Sequence, residues 1–281
     1  MRSSRFWMLI LVLVLTRAPL AAEWRPADWS LARPTPRSNA VLGGVLATTR
    51  ELAAKGRRPV NVFDLDGTLF ETGSRHKAAM LKFARQNQRR YPDLRAKLER
   101  WVPEQLPYEI SDTFDELGIR NAADREAAMR LWKECFHSNE GLHLDRPLPG
   151  AREYVNKLHK AGSTIVYLTG RKIAQQQKGS LEVLAEKGFP VPPERCALIM
   201  NPRTGLHDTM FKGSAAVREQ IAALGEVVAV FDNEPGNVNV LAKSFPSALM
   251  VFLDTNHSPA APPLDTGIPG IRNFRWGWLQ R

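Results

Sequence analysis

The chain has 281 residues, of which 43% are hydrophobic and 24% are charged. This composition is that of an ordinary globular protein rather than a disordered chain, and the length is sufficient for one large core or for a core with an inserted domain. The formal net charge of +10 favours anionic partners, such as phosphorylated substrates, nucleic acid or an acidic membrane surface, and a well-solvated basic protein is an equal alternative.

The amino terminus has the layout of a secretory signal peptide over residues 1–22. Arg2 and Arg5 precede an apolar run from Phe6 to Leu15, and alanines follow this run up to Ala22. Ten apolar residues are too few to cross a bilayer comfortably, so we expect no stable membrane span. We therefore predict an exported protein, periplasmic or secreted. An uncleaved anchor is the alternative. Cleavage near Ala21 or Ala22 would place Pro19 or Leu20, rather than an alanine, three residues before the cut.

Two carboxylates at the end of a short apolar strand are the first candidate site. Residues 23–37 contain three prolines and predict an extended leader, and the apolar spacing that follows predicts a helix over 38–56. Val60–Phe63 then predicts a buried strand, which runs into Asp64 and Asp66. Because side chains alternate along a strand, both carboxylates leave its carboxyl end in the same direction. Their mutual repulsion predicts a divalent cation beside them.

Residues 71–147 predict an insertion made only of helices. Four apolar stretches with helical spacing are separated by prolines and glycines, and no strand-like alternation interrupts them. The stretches lie near Ala78, Leu94, Ile110 and Ala122, the last with Asn121 as its N-cap. Six basic residues cluster at positions 85–100 of this segment, and we favour a solvated helix face over an electrostatic funnel for an anionic substrate. They are Arg85, Arg89, Arg90, Arg95, Lys97 and Arg100.

Helix and strand signals alternate after the insertion. Apolar stretches predict strands at Thr164–Leu168, Ala197–Met200, Val227–Phe231 and Ala248–Leu253. Helices are predicted between them, including one over Lys212–Leu224. Strands that alternate with helices predict an α/β fold with a doubly wound parallel sheet. This core would comprise residues 23–70 and 148–281.

Polar residues follow two of these strands directly. Thr169, Gly170 and Arg171 come after the first, where a hydroxyl group, free backbone N–H groups and a guanidinium suit a phosphoryl oxygen. Asp232 and the residues after it follow the strand at 227–231. We therefore expect these groups to meet at one edge of the sheet.

Four positions taken together resemble the motifs of haloacid dehalogenase-like (HAD) hydrolases. The DLDGT segment at 64–68 resembles the first motif, Thr169 the second, Lys212 the third and Asp232 the fourth. The resemblance implies a Rossmann-like core with a helical cap inserted after the first motif. The chain departs from the family pattern in the fourth motif, because no second aspartate stands one, four or five residues after Asp232.

The resemblance also implies a role for each site residue. Asp64 would attack phosphorus to form an aspartyl phosphate, and Asp66 would act as the general acid and base. The phosphoryl group would be bound by Thr169, Gly170, Lys212 and Arg171. Mg²⁺ would be held by Asp64, Asp232 and the backbone carbonyl of Asp66, with Asn233, Glu234 or Asn237 completing the shell.

These implications favour an exported, Mg²⁺-dependent phosphatase that hydrolyses a small phosphorylated substrate and does not require nucleic acid. A phosphotransferase or phosphomutase would use the same motifs, and a non-catalytic protein that binds a phosphorylated ligand is a second alternative. The presence of Asp66 argues against the dehalogenase branch of the family, where that acid is not needed. Neither the substrate nor the oligomeric state follows from the sequence.

Two further features leave alternatives open. Cys135 and Cys196 could form a disulfide in an exported protein, but we favour two free thiols. Aromatic residues near the carboxyl terminus, Phe274, Trp276 and Trp278, could stack on a base or a sugar, but we favour packing against the core.

Overall fold

A computed structural model describes residues 28–203 and 205–276 of the chain. The predicted signal peptide at 1–22 lies outside these ranges, and so does Trp278. Among the described helices, none is long and apolar enough to cross a membrane.

The strands of the described ranges form one large and one small sheet. They are β1 (Pro59–Phe63), β2 (Phe70–Glu71), β3 (Arg146–Pro147), β4 (Thr164–Lys172), β5 (Cys196–Asn201), β6 (Glu226–Asp232), β7 (Leu249–Leu253) and β8 (Gly270–Ile271). Six of them form a parallel sheet in the order β5-β4-β1-β6-β7-β8. The other two, β2 and β3, form an antiparallel ribbon. The predicted parallel sheet is confirmed, whereas the sequence did not predict the ribbon or β8.

Strand β1 lies at the centre of the parallel sheet. Val62 is in register with Val166 of β4 on one side and with Val230 of β6 on the other. All five residues of β1 are buried, as in a strand that is covered on both faces. The chain adds β4 and β5 on one side of β1 and β6 to β8 on the other. The direction of winding therefore reverses at β1, and this is the place where open α/β sheets bind their ligands.

Helices cover both faces of this sheet. In chain order the helices are α1 (Asp28–Leu31), α2 (Pro36–Ala54), α3 (Gly73–Gln86), α4 (Leu94–Glu99), α5 (Phe114–Leu117), α6 (Ala122–Phe136), α7 (Asn139–Leu142), α8 (Ala151–Lys160), α9 (Ile173–Glu186), α10 (Asp208–Lys212), α11 (Ala215–Leu224) and α12 (Pro235–Ser244). One apolar cluster joins α2, α8 and α9 to the face of the sheet that contains Phe63. A second joins α11 and α12 to the face that contains Val60 and Val62. The sheet is therefore doubly wound, as the sequence predicts.

The segment between β2 and β3 contains only helices, two of them short 3₁₀ turns at Pro103–Gln105 and Ile110–Thr113. It has an apolar cluster of its own, centred on residues such as Phe83, Leu98 and Phe114. The helical content fits a cap, and β2 and β3 bring both ends of the segment back to one point, because Phe70 pairs with Pro147.

Two predicted helix boundaries are wrong. The helix expected over 38–56 begins at Pro36, because Thr35 caps it and forms a capping box with Ser38. Residues 23–37 are also not extended throughout, since α1 lies among them. The helix expected from Lys212 to Leu224 is two helices. Lys212 ends α10, and Ser214 caps α11 by accepting a hydrogen bond from the Val217 N–H group.

Other sequence alternatives are resolved by the packing. Both cysteines are free, as favoured. The six basic residues clustered at 85–100 are exposed and do not line the cavity described below, which matches a solvated face. Phe274 is buried against Phe63 and Phe231, and the Trp276 ring packs near Lys157, so these two aromatic residues lie against the core.

Candidate active site

A cavity of about 760 Å³ opens at the carboxyl ends of the central strands. It is lined by Asp64 after β1, by Thr169 in β4 and by Lys212 at the end of α10. Asp66 and Arg171 also line it, as do Asn233, Glu234 and Asn237 after β6. Because parallel strands end at the same edge of a sheet, side chains far apart in the sequence meet here.

The Lys212 ammonium lies among three carboxylates. Its Nζ atom is 2.7 Å from Asp64 Oδ1, 2.8 Å from Asp232 Oδ2 and 3.3 Å from Asp208 Oδ2. The Lys212 side chain is only 1% exposed. Burial opposes the charged form, but the three carboxylates raise the pKa of Lys212 well above its ordinary value. The ammonium therefore remains charged and holds Asp64 and Asp232 together.

The negative charge around Lys212 exceeds what one ammonium can neutralise. Burial raises the pKa of Asp64 well above its ordinary value and also raises that of Asp232, although Lys212 attracts both carboxylates. Asp208 Oδ1 is buried and has no hydrogen-bond partner among the described residues. A divalent cation would relieve this imbalance. The residues present therefore fit a magnesium ion, which is often bound by one or two carboxylates together with water.

Few side chains of the described residues could coordinate such an ion. No group of three or more His, Cys, Asp or Glu side chains in the described part of the chain is arranged to hold a metal ion. Asp64 and Asp232, the two carboxylates nearest to Lys212, are the candidate side-chain ligands. A site of this kind would be completed by backbone carbonyl groups and water rather than by a cage of side chains.

Three other predicted metal-shell residues are engaged with protein groups. The Asn233 side chain accepts from Thr68 Oγ1 at 3.1 Å and donates to the Asn256 carbonyl at 2.6 Å. This side chain lies over Gly67, whose φ is +78° and where a Cβ atom would come within 2.2 Å of Asn233 Nδ2. Asn233 therefore joins the loops around the first motif.

Glu234 and Asn237 lie closer to the other acids. The Glu234 carboxylate accepts from the Ser258 N–H group, and burial and the Asp232 charge raise its pKa to about 7. Asn237 Nδ2 donates to Asp208 Oδ2 at 2.9 Å and is 3.4 Å from Asp232 Oδ1. Of the three alternatives, Asn237 is the one whose side chain contacts Asp232 directly.

Asp66 is held by two buried arginines. Arg75 Nη2 and Arg171 Nη2 each lie 2.5 Å from Asp66 Oδ1. Burial would raise the pKa of Asp66, but Arg171 and Arg75 together lower it well below its ordinary value. Both guanidiniums also contact Asp145, a fully buried carboxylate just before β3, at 2.7 Å. The four side chains form one ionic network, buried except for the partly exposed Asp66, that includes residues from both ends of the insertion.

Arg171 was predicted to bind phosphate, and in the structure its donors go to protein groups. Besides Asp66 and Asp145, its Nη1 atom donates to Ser180 Oγ at 3.2 Å. Thr169 Oγ1 accepts from the Arg171 N–H group at 3.3 Å and is 1% exposed. Gly170 lies close to Asp208, since a Cβ atom at this position would come within 2.6 Å of Asp208 Oδ1. The phosphate-binding roles of these residues remain predictions.

Several site residues were not predicted from the sequence. Asp208 stands four residues before Lys212 on one helix, and this spacing is a signal that could have identified it. Arg75 and Asp145 are 70 residues apart in the chain and carried no motif. Of the aromatic residues on the insertion side of the cavity, those on helices had only the spacing expected of a packed helix, and Tyr108 lies in a loop without a sequence signal. These aromatic residues are His76, Tyr108, Trp132 and Phe136.

Parts of this chain resemble a known family and several solved structures. Residues 60–195 match the family model of haloacid dehalogenase-like hydrolases, and no curated protein matches the chain significantly. A candidate phosphatase from Clostridium difficile is similar in structure over 73% of this chain and 89% of its own, with 13% identity and a TM-score of 0.50. Protein Tyrosine Kinase A from Mycobacterium tuberculosis is similar over 76% and 94%, with 15% identity and a TM-score of 0.48. A HAD-superfamily hydrolase of subfamily IA from Geobacter sulfurreducens is similar over 72% and 92%, with 13% identity and a TM-score of 0.44.

At 13% identity the likeness to the Clostridium difficile structure concerns the fold alone, and the match to the family model concerns residues 60–195. The matched residues include the first motif at 64–68 and the second at Thr169, whereas Lys212 and Asp232 lie beyond them and join the site through the fold. Residues 60–195 therefore resemble the haloacid dehalogenase-like hydrolases, and the chain has an α/β Rossmann-like fold.

Proposed function

We propose that this protein is an exported, Mg²⁺-dependent phosphatase that hydrolyses phosphomonoesters through an aspartyl phosphate on Asp64. The observation that supports it most is that Asp64 and Asp232 meet at the Lys212 ammonium, where Asp64 and Lys212 line a cavity large enough for a substrate. Phosphoryl transfer to an aspartate requires a carboxylate nucleophile, a second carboxylate and a fixed cation at one point.

In the first step an Asp64 carboxylate oxygen attacks phosphorus, and the bond from phosphorus to the leaving alcohol oxygen breaks. Lys212 lies 2.7 Å from the attacking carboxylate and offsets the negative charge of the transferring group. Thr169 and the backbone around Gly170 lie beside it as hydrogen-bonding groups. The magnesium ion, when bound by Asp64 and Asp232, would supply further neutralisation of that charge.

Asp66 is the general acid and base in this proposal. It donates a proton to the departing alkoxide and then accepts one from the water that hydrolyses the aspartyl phosphate, so phosphate is released and both aspartates are regenerated. Two guanidiniums favour its ionised form in the described structure. An incoming phosphoryl dianion would compete with Asp66 for Arg171, which weakens this effect and gives Arg171 the phosphate contact that the sequence predicts.

The test is release of inorganic phosphate from a generic aryl phosphate by the purified chain, with and without Mg²⁺. We expect turnover that is lost on chelation, restored by Mg²⁺ and abolished in Asp64→Asn while the circular dichroism spectrum is unchanged. Retained turnover in Asp64→Asn would contradict the nucleophile. Phosphate transfer to an added alcohol in place of release would instead identify a phosphotransferase.

A further inference from the structure

The insertion side of the cavity is lined by aromatic side chains. Trp132 and Phe136 lie on α6 with a spacing of four residues, so they share one face of the helix. His76 from α3 and Tyr108 from the loop before α5 line the same cavity. Trp132 and Phe136 are only partly buried, and both line the space above the carboxylates.

The aromatic residues are held in a fixed arrangement. The Trp132 and Phe136 ring centroids are 4.9 Å apart, and Trp132 Nε1 donates to His76 Nδ1 at 3.2 Å. His76 is buried, and burial together with the nearby Arg75 charge lowers its pKa to about 3, so the imidazole is neutral. Rings fixed in this way lose little conformational entropy when a ligand binds to them.

The distance between the aromatic residues and the acids is short. The Arg75 guanidinium carbon lies 4.1 Å from the Phe136 ring centroid, and its Nη2 atom lies 2.5 Å from Asp66 Oδ1. With one C–N bond between these atoms, the Phe136 ring centre is within about 8 Å of the Asp66 carboxylate. Arg75 covers one face of the Phe136 ring, and a group bound against the rest of this aromatic surface could be covalently connected to a phosphoryl group near Asp66 through a short spacer.

We propose that the substrate is a phosphomonoester whose leaving alcohol carries a flat aromatic or heteroaromatic ring, separated from the phosphate by a spacer about as long as one sugar. This inference rests on the proposed function and specifies its substrate class. The ring binds against Trp132 and Phe136, because aromatic faces stack well on one another and exclude water. Polar side chains at the cavity wall, Lys133 and Gln175 among them, can bond to the heteroatoms of such a ring.

The test compares adenosine 5′-monophosphate with ribose 5-phosphate, which share the phosphate and the sugar and differ by the ring. We expect kcat/KM to be at least fivefold higher for the nucleotide. In Trp132→Leu and in Phe136→Leu this ratio falls towards one. The control is Trp101→Leu, since Trp101 packs against the apolar cluster of the insertion and does not line the cavity. Its ratio should equal that of the wild-type protein.

A binding measurement separates this inference from the proposed function. Adenosine, which carries the ring and no phosphate, is titrated into the wild-type protein and into the two leucine variants by calorimetry. Binding to the wild-type protein that weakens at least fivefold in both variants supports the ring site, even if no phosphate is ever released. Equal kcat/KM values for the two phosphates, without detectable binding of adenosine, would overturn it while leaving the phosphatase in place. Preference for phenyl phosphate over both substrates would also overturn it, because that ring has no spacer.

Discussion

The Arg75 guanidinium and the Asp145 carboxylate form an ion pair with both side chains fully buried, and the distance from Nε to Oδ1 is 2.7 Å. Arg75 lies in the first turn of α3, the first helix of the insertion, and Asp145 immediately precedes β3, where the chain returns to the core. The same arginine contacts Asp66, and the same aspartate contacts Arg171. The position of the insertion is therefore linked to the acid that the proposed mechanism uses.

Replacing Asp145 with asparagine should destabilise the protein strongly. The change leaves two buried guanidiniums with one carboxylate fewer, and breaking a buried ion pair from one side costs about 3–5 kcal/mol. We expect a fall of this size in the free energy of unfolding, measured in urea. The control is Glu99→Gln, which removes an exposed partner of Arg95 and should cost no more than about 1 kcal/mol. Equal losses in the two variants would mean that the buried network does not contribute as described.

His76 should make the protein less stable as the pH falls below 6.5. Its pKa is about 3 in the folded protein and near its ordinary value in the unfolded chain, so the unfolded state binds the additional proton between these two values. Stability should decline by up to about 1.4 kcal/mol per pH unit from this group alone. Comparison with His76→Gln by urea unfolding at pH 7.0, 6.0 and 5.0 isolates the effect. The variant should lose less stability than the wild-type protein, and parallel curves would contradict the prediction.

Gly170→Ala should reduce activity with little loss of stability. A Cβ atom at this position would come within 2.6 Å of Asp208 Oδ1, which is too close, so that carboxylate must move. It can do so at little cost because it is the end of a flexible side chain. Asp208 also contacts Lys212, so its displacement disturbs the cation at the proposed nucleophile. We expect kcat/KM to fall about tenfold or more.

Gly44→Ala is the matched control for this change. Gly44 lies in α2, and no neighbouring atom is within 4 Å of the position that a Cβ atom would occupy, so alanine should fit there. Because alanine favours a helix over glycine, this variant should keep full activity and gain about 0.5–1 kcal/mol of stability. If Gly170→Ala were fully active as well, the contact between Gly170 and Asp208 would have no part in the site.

The sequence predicted the parts of this site that follow from strand ends and motifs. Asp64, Asp232 and Lys212 could be predicted to meet because apolar strands and a family resemblance place them at one edge of a sheet. Asp208 could have been added from its helical spacing to Lys212. Arg75 and Asp145 could not, because their pairing depends on how the insertion folds back onto the core.

Helix boundaries and the cavity-lining aromatic residues also depend on contacts that the sequence does not show. Lys212 ends one helix rather than beginning the next, since Ser214 caps α11. Trp132 and Phe136 have the spacing of an ordinary packed helix, and only the position of α6 above the carboxylates shows that they line the cavity. Sequence periodicity predicts which face of a helix is apolar, but not which element or cavity that face contacts.

Magnesium should stabilise the folded protein through Asp64 and Asp232. A ligand that binds only the folded state adds about 2.7 kcal/mol at a concentration of 100 times its Kd, which appears as a higher melting temperature. We expect this rise with Mg²⁺ in the wild-type protein and its loss in Asp232→Asn. Asp254→Asn is the control, because Asp254 pairs with Arg272 at the surface. A wild-type melting temperature that does not respond to Mg²⁺ would contradict the proposed metal site without depending on any substrate.

Replacing Arg75 with glutamine should extend activity to higher pH. Arg75 is one of two cations that lower the pKa of Asp66, so its removal raises that pKa. The proposed general acid must be protonated to act, and the alkaline decline in kcat should therefore move to higher pH. An alkyl phosphate is the right substrate, because its leaving group needs the proton. Arg75→Lys keeps a positive charge near Asp66 and should behave more like the wild-type protein. An unchanged alkaline decline in Arg75→Gln, with the variant folded and active, would mean that Asp66 is not the acid that this decline reports.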